Sequence, residues 1–159
     1  MKHSSANEKR MKSDLMLTKC AIILLSVISI ALMAAGPFWV RWVMRRPSPL
    51  LEGEVRYGLM LIGGYVCGAL LLYCLYVLMK LLKNLETGAV FVKENVDLLK
   101  RVSVIILIAA LISLFLGLTC IPSMAAVAVI AAFMALIVRV VRDAFARAVE
   151  MQDELDYTI

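Results

Sequence analysis

The residue types that most often perform chemistry are sparse in this 159-residue chain, and they are not spaced as catalytic or metal-binding motifs. Its one histidine, His3, lies in a polar N-terminal tail, and no CxxC pair is formed by its four cysteines, Cys20, Cys67, Cys74 and Cys120. Metal and disulfide sites usually show paired ligands at short, fixed spacing. A glycine-rich phosphate loop and a nucleophile elbow are also missing from the sequence. The sequence therefore predicts a protein that is not an enzyme and uses no cofactor or metal.

The segments that must position any functional residue are apolar runs long enough to cross a lipid bilayer. Hydrophobic residues make up 63% of the chain and charged residues 18%, which is more apolar surface than a soluble domain of this size can bury. The uncharged run from Val102 to Val138 would be about 55 Å long as one helix, whereas the hydrocarbon core of a bilayer is about 30 Å thick. Because Pro122 can begin a helix but cannot continue one, we expect this run to form a hairpin of two spans.

Two further apolar runs lie upstream, so the sequence predicts an all-α, polytopic membrane protein with four transmembrane helices in a single bundle. The predicted spans cover about residues 15–40, 57–79, 102–120 and 123–140, and a tail of residues 141–159 follows. Between spans two and three, charged residues recur every three or four positions from Lys93 to Arg101, which predicts a helical loop. The connection from Pro47 to Arg56 is expected to be short and exposed.

The distribution of basic residues favours an orientation with both termini in the cytoplasm. Lysine and arginine near span ends are retained on that side, and they are most frequent in the N-terminal tail, in residues 80–101 and after the fourth span. The other side has four arginines, Arg41, Arg45, Arg46 and Arg56. We expect a multi-pass protein of the inner (cytoplasmic) membrane. The net charge of +5 comes from these flanking clusters, so no direct nucleic-acid binding is expected.

The interiors of the spans contain residues suited to helix packing. No aspartate, glutamate, lysine, arginine or histidine lies in the uncharged runs. Because such side chains usually mark ion paths, a small transport or channel subunit is the weakest functional hypothesis. Gly64 and Gly68 form a GxxxG pattern, which allows close approach of helices. This pattern serves either packing within one bundle or, alternatively, a homo-oligomer.

Two segments resemble a known bacterial membrane family. Glu86 to Ile105, reading ETGAVFVKENVDLLKRVSVI, and Glu154 to Ile159, reading ELDYTI, are similar to the motifs of the family called domain of unknown function 2975. Its members have four spans, a loop of the type G-x-x-F-x-x-E-N and an acidic tail ending in Thr-Ile, with a leucine where Tyr157 stands here. The matching positions are Gly88, Phe91, Glu94, Asn95, Leu99 and Arg101 in the loop, and Glu154, Asp156, Thr158 and Ile159 in the tail.

The resemblance implies a partner more than an activity, because genes of this family commonly lie beside one for a small helix-turn-helix regulator. We therefore expect a non-enzymatic anchor for such a regulator. Its expected partner-binding residues are Gly88, Phe91, Glu94, Asn95, Glu154, Asp156, Tyr157, Thr158 and Ile159. The loop motif also has a structural interpretation, in which Gly88 ends a helix and Phe91 packs on the bundle. An alternative function is immunity or membrane-stress protection through the outward segment Arg41 to Arg56.

Overall fold

The computed structural model describes residues 2–88 and 90–157, together with the side chains of residues 13–88, 90–152 and 154. Within these residues the protein is all-helical, and four of its helices are long and apolar enough to cross a membrane. The predicted four-span, all-α fold is confirmed. The helices are α1 (Lys2–Ala34), α2 (Gly36–Val43), α3 (Gly53–Glu86), α4 (Lys93–Thr119) and α5 (Ser123–Tyr157).

The four long helices pack in the order α1, α3, α4 and α5, each against its neighbour in the chain. Helix α3 contacts both α1 and α4, and the most extensive contact is between α4 and α5. Within the described residues, no close backbone contact joins α1 to α4 or α5. Apolar clusters fill the interfaces, with Cys74, Val77 and Leu98 between α3 and α4. Most other large apolar side chains are exposed on the outside of the helices, where lipid replaces water as the solvent.

Two contacts show which helix ends lie together. Lys19 of α1 forms an ion pair with Glu86 at the end of α3, with Nζ and Oε2 2.5 Å apart. Phe91, just before α4, contacts Phe145 near the end of α5, with ring centroids 5.9 Å apart. We call this end of the molecule the terminal face. The opposite face contains α2, the connection of residues 44–52 and the turn of residues 120–122.

The hairpin predicted at Pro122 is present as a tight turn between α4 and α5. The amides of Cys120 and Ile121 both donate to the carbonyl oxygen of Leu116, at 2.8 and 3.0 Å, and so end α4. Gly117 allows the two helices to meet, because a Cβ atom there would lie 2.8 Å from the Cα of Ala125. The absence of a side chain at Gly117 is therefore a steric requirement of this hairpin.

The segment predicted as one span over residues 15–40 is interrupted in the structure. Helix α1 ends at Ala34 and α2 begins at Gly36. Pro37 has no amide hydrogen to donate to the carbonyl of Met33, so the regular helical ladder cannot continue through it. By contrast, α3 extends beyond both ends of the second predicted span. At about 51 Å for its 34 residues, it is longer than the hydrocarbon core is thick.

The expectation that residues from Pro47 to Arg56 are all exposed is wrong for Arg56. This residue lies in the first turn of α3, and its side chain is only 4% exposed. Its Nη1 donates to the carbonyl oxygen of Arg46 at 2.8 Å, and its Nη2 donates to that of Cys120 at 3.1 Å. Carbonyls at helix ends carry partial negative charge, which compensates a buried cation.

The GxxxG pattern is used within the chain at one of its two glycines. A Cβ atom on Gly68 would lie 2.8 Å from the Sδ of Met33, so this glycine receives the Met33 side chain of α1. A Cβ atom on Gly64 would meet nothing within 4 Å. Packing within one chain, the first of the two uses predicted for this pattern, therefore accounts for Gly68.

Candidate functional site on the terminal face

The loop between α3 and α4 begins at a helix end that requires glycine. Helix α3 ends at Glu86, Thr87 is its C-cap residue, and Gly88 has a φ of +81°. This left-handed conformation carries no steric penalty for glycine and turns the chain away from the helix axis. The Gly88 amide donates to the carbonyl oxygen of Leu85 at 3.2 Å. The predicted role of Gly88 as a helix-ending residue is confirmed.

Asn95 holds the loop against the end of α3 from a completely buried position. Its exposed fraction is 0%. Its Nδ2 donates to the carbonyl oxygen of Val90 at 2.8 Å, and its Oδ1 accepts a hydrogen bond from the Nδ2 of Asn84 at 2.9 Å. Buried amides contribute stability only when both of their ends are satisfied. Asn95 therefore positions the loop from inside and does not belong to the surface of the terminal face.

Glu94 lies beside Asn95 but faces outwards, where it forms an exposed polar cluster with residues of α3. Its Oε1 is 2.8 Å from the Nζ of Lys80, and its Oε2 accepts a hydrogen bond from Asn84 at 3.3 Å. Asn84 thus contacts both residues of the Glu94–Asn95 pair. Exposed ion pairs contribute little to stability, so the Glu94 carboxylate is accessible to a partner at small energetic cost.

Phe91 joins the loop to the tail helix. Its side chain is 48% exposed, and its ring is tilted by 41° against that of Phe145 in α5. One turn further along α5, Val149 is buried. The structure therefore brings the loop motif against α5 at Phe145, about 14 Å along the helix axis before the tail motif begins at Glu154. We define the composite surface as Phe91, Glu94, Phe145 and the last turns of α5.

The tail predicted for residues 141–159 continues α5 without a break as far as Tyr157. Glu150 and Glu154 are exposed, and the acidic residues recur through these last turns. Asp156 and Tyr157 lie within the helix as backbone positions. Thr158 and Ile159 lie outside the described residues. Among the described residues, no group of three or more histidine, cysteine, aspartate or glutamate side chains is arranged to hold a metal ion.

Several residues of the terminal face were not predicted to be functional. Lys19, Asn84 and Phe145 were not among the predicted site residues, yet each contacts a residue of the loop or its flanking helix end. The helical spacing of Phe145 with Val141 and Val149 is visible in the sequence. Its contact with Phe91 is not, because it depends on how α5 packs against the start of α4.

The fold and this surface define the class of protein: a multi-pass membrane protein with four candidate spans. Its structured, charged face is formed by α1 at Lys19, the loop between α3 and α4, and α5 from Phe145 onwards. The family described as "Protein of unknown function (DUF2975)" matches residues 15–159, and the chain belongs to that family. The resemblance found in the sequence is thereby confirmed. Comparison with curated proteins and with solved structures gives no match.

Proposed function

We propose that the protein is a non-enzymatic anchor in the inner (cytoplasmic) membrane that holds a small helix-turn-helix regulator on its terminal face. In this proposal the terminal face lies in the cytoplasm, as the excess of lysine and arginine in residues 80–101 and around the termini favours. The observation that carries the proposal is the contact between Phe91 and Phe145. It supports the proposal because it sets the loop beside the helix that carries the tail, so that a partner extending along α5 can contact both.

The charges of the composite surface fit a basic partner. Glu94 and Glu154 have exposed side chains, and Glu150, Asp153 and Asp156 add negative charge in the last turns of α5. The DNA-facing side of a helix-turn-helix protein is basic. Complementary charge raises the association rate and sets the orientation of a complex, and an exposed aromatic such as Phe91 supplies an apolar anchor.

The direct test is capture of the purified regulator by the detergent-solubilised protein. We expect loss of capture when residues 150–159 are removed, and weaker capture with Phe91→Ala. The matched control is a double variant with Arg45→Gln and Arg46→Gln, both on the opposite face. It should capture the regulator as well as the unchanged protein does. Equal recovery with and without residues 150–159 would remove the tail from the proposal. A reporter enzyme fused after Ile159 that is active only on the outer side would exclude the anchor function altogether.

A second candidate function, immunity or membrane-stress protection, uses the opposite face. Its support is that Arg41, Arg45 and Arg46 are exposed, with Arg46 over the ring of Trp42 at 5.3 Å from the ring centroid. Arg56, the last residue of the predicted outward segment, is buried and is therefore not accessible to an extracellular ligand. Neutralising the three exposed arginines should abolish protection and leave regulator capture unchanged if this second function is the correct one.

A further inference from the structure

A groove between α3 and α4 carries charges that the fold does not use. Its volume is about 470 Å³, and it is lined by Tyr73, Asp97, Lys100, Arg101, Val104 and Ile105. Asp97, Lys100 and Arg101 are exposed. Within the described part of the chain, none of the three forms an ion pair or a side-chain hydrogen bond. The neighbouring cation, Lys80, is already paired with Glu94.

The groove lies where the charged start of α4 meets its apolar part. Arg101 is directly followed by the uncharged run that begins at Val102. Val104, one turn further into the span, is 48% exposed, and Tyr73 on the facing helix is 45% exposed. Tyr73 also stacks on Tyr76, with ring centroids 6.5 Å apart. Tyrosine side chains of this kind prefer the level of the lipid headgroups.

We propose that this groove binds an anionic glycerophospholipid that carries a single negative charge. The phosphate lies between Arg101 and Lys100, the Tyr73 hydroxyl can donate a hydrogen bond to it, and an acyl chain runs along the exposed face of Val104. The planar fork of a guanidinium group matches the geometry of phosphate oxygens. A free phosphate ion would leave the apolar side of the groove uncovered, so the occupant is a lipid.

Asp97 sets the charge of the ligand. It lies four residues before Arg101, about 6 Å along the helix axis, and it reduces the charge of the groove from two cations to a net single positive charge. A headgroup such as phosphatidylglycerol, with one negative charge, matches this value, whereas a headgroup with two or more negative charges meets repulsion from the carboxylate. The inference concerns only α3 and α4 and does not rest on the proposed regulator.

The test is a titration of the solubilised full chain with phosphatidylglycerol, phosphatidylethanolamine and phosphatidylcholine, with bound lipid counted by native mass spectrometry. We expect preferential binding of phosphatidylglycerol, about fivefold weaker binding with Arg101→Gln, and tighter binding with Asp97→Asn, since one basic residue near the membrane contributes about that factor. Effects of opposite sign at two positions one helical turn apart cannot come from a loss of folding.

Lys83→Gln is the matched control, because it removes an exposed cation from α3 outside the groove. It should bind phosphatidylglycerol as the unchanged protein does. Three results would overturn the proposal: equal binding of the three lipids, an Asp97→Asn variant with no gain in affinity, or displacement of the lipid by inorganic phosphate.

Discussion

Arg56 donates a hydrogen bond from Nη2 to the carbonyl oxygen of Cys120, a residue 64 positions further along the chain, across 3.1 Å. A second bond from Nη1 reaches Arg46. One guanidinium group thus connects the start of α3 to the segment after α2 and to the end of α4. Its Nε is buried and has no hydrogen-bond partner among the described residues. The contact cluster of Met60, Leu116 and Cys120 surrounds the same end of the bundle.

Replacing Arg56 should therefore destabilise the opposite face. With Arg56→Gln, two carbonyl oxygens lose a charged hydrogen-bond donor, which destabilises the fold. Removal of the buried cation offsets part of this loss. We expect the free energy of unfolding to fall by about 2 kcal/mol in total. Thermal unfolding in detergent measures the change. Arg45→Gln, an exposed neighbour, is the control and should leave stability unchanged. Equal stability of the two variants would contradict the role given to Arg56.

The contact between Phe91 and Phe145 predicts energetic coupling between the loop and the tail helix. In a double-mutant cycle of Phe91→Ala and Phe145→Ala, we expect a coupling energy of about 1 kcal/mol, the usual contribution of an aromatic pair. Hydrogen exchange of the α5 amides near Val149 should also become faster with Phe91→Ala. A second cycle of Phe91→Ala with Phe133→Ala serves as the control, because Phe133 is exposed on α5 in the middle of its apolar stretch. Coupling of the same size in both cycles would show that the ring contact is not its source.

Substitution of the buried Asn95 should lower stability more than substitution of its exposed neighbour Glu94. Asn95→Ala removes hydrogen bonds with Val90 and Asn84. We expect a loss of about 2 kcal/mol because the half-buried carbonyl of Val90 loses its side-chain donor and the completely buried Asn95 site is left as a cavity. Glu94→Gln should change stability little, since its ion pair is exposed. Chemical denaturation of both variants measures the difference. If Glu94→Gln proves the more damaging substitution, the structural role belongs to the Lys80 pair.

Gly117 in the α4–α5 hairpin and Gly64 in α3 are expected to respond differently to substitution by alanine. Gly117→Ala places a methyl group against the backbone of Ala125, so we expect a loss of about 2 kcal/mol or a failure to fold. Gly64→Ala meets open space, so it should leave stability unchanged or raise it by about 0.5 kcal/mol through the better helix propensity of alanine. Melting temperature and folded yield in detergent report both effects. A stable, well-folded Gly117→Ala variant would show that the helices can separate at this point.

Much of the fold could be predicted from local sequence because hydropathy and proline chemistry are local properties. The length of the run from Val102 to Val138 exceeds what one crossing requires, and Pro122 indicates where it turns. The left-handed conformation of Gly88 follows from a glycine placed just after a helical pattern. The first predicted span, residues 15–40, is divided in the structure, because α1 ends at Ala34 and the chain continues as the short helix α2.

The sequence by itself determined the four apolar helices, the hairpin and the family, because each depends on residue types within one continuous segment. Only the tertiary structure decided that Arg56 is buried, that Asn95 is internal and that Phe91 contacts Phe145. These facts depend on which helix faces approach each other, and in lipid that choice is made by close packing and by hydrogen bonds between distant segments. An arginine after a short connection and an asparagine in a polar loop both look exposed in sequence. Their partners, Cys120 and Asn84, become neighbours only when the helices assemble.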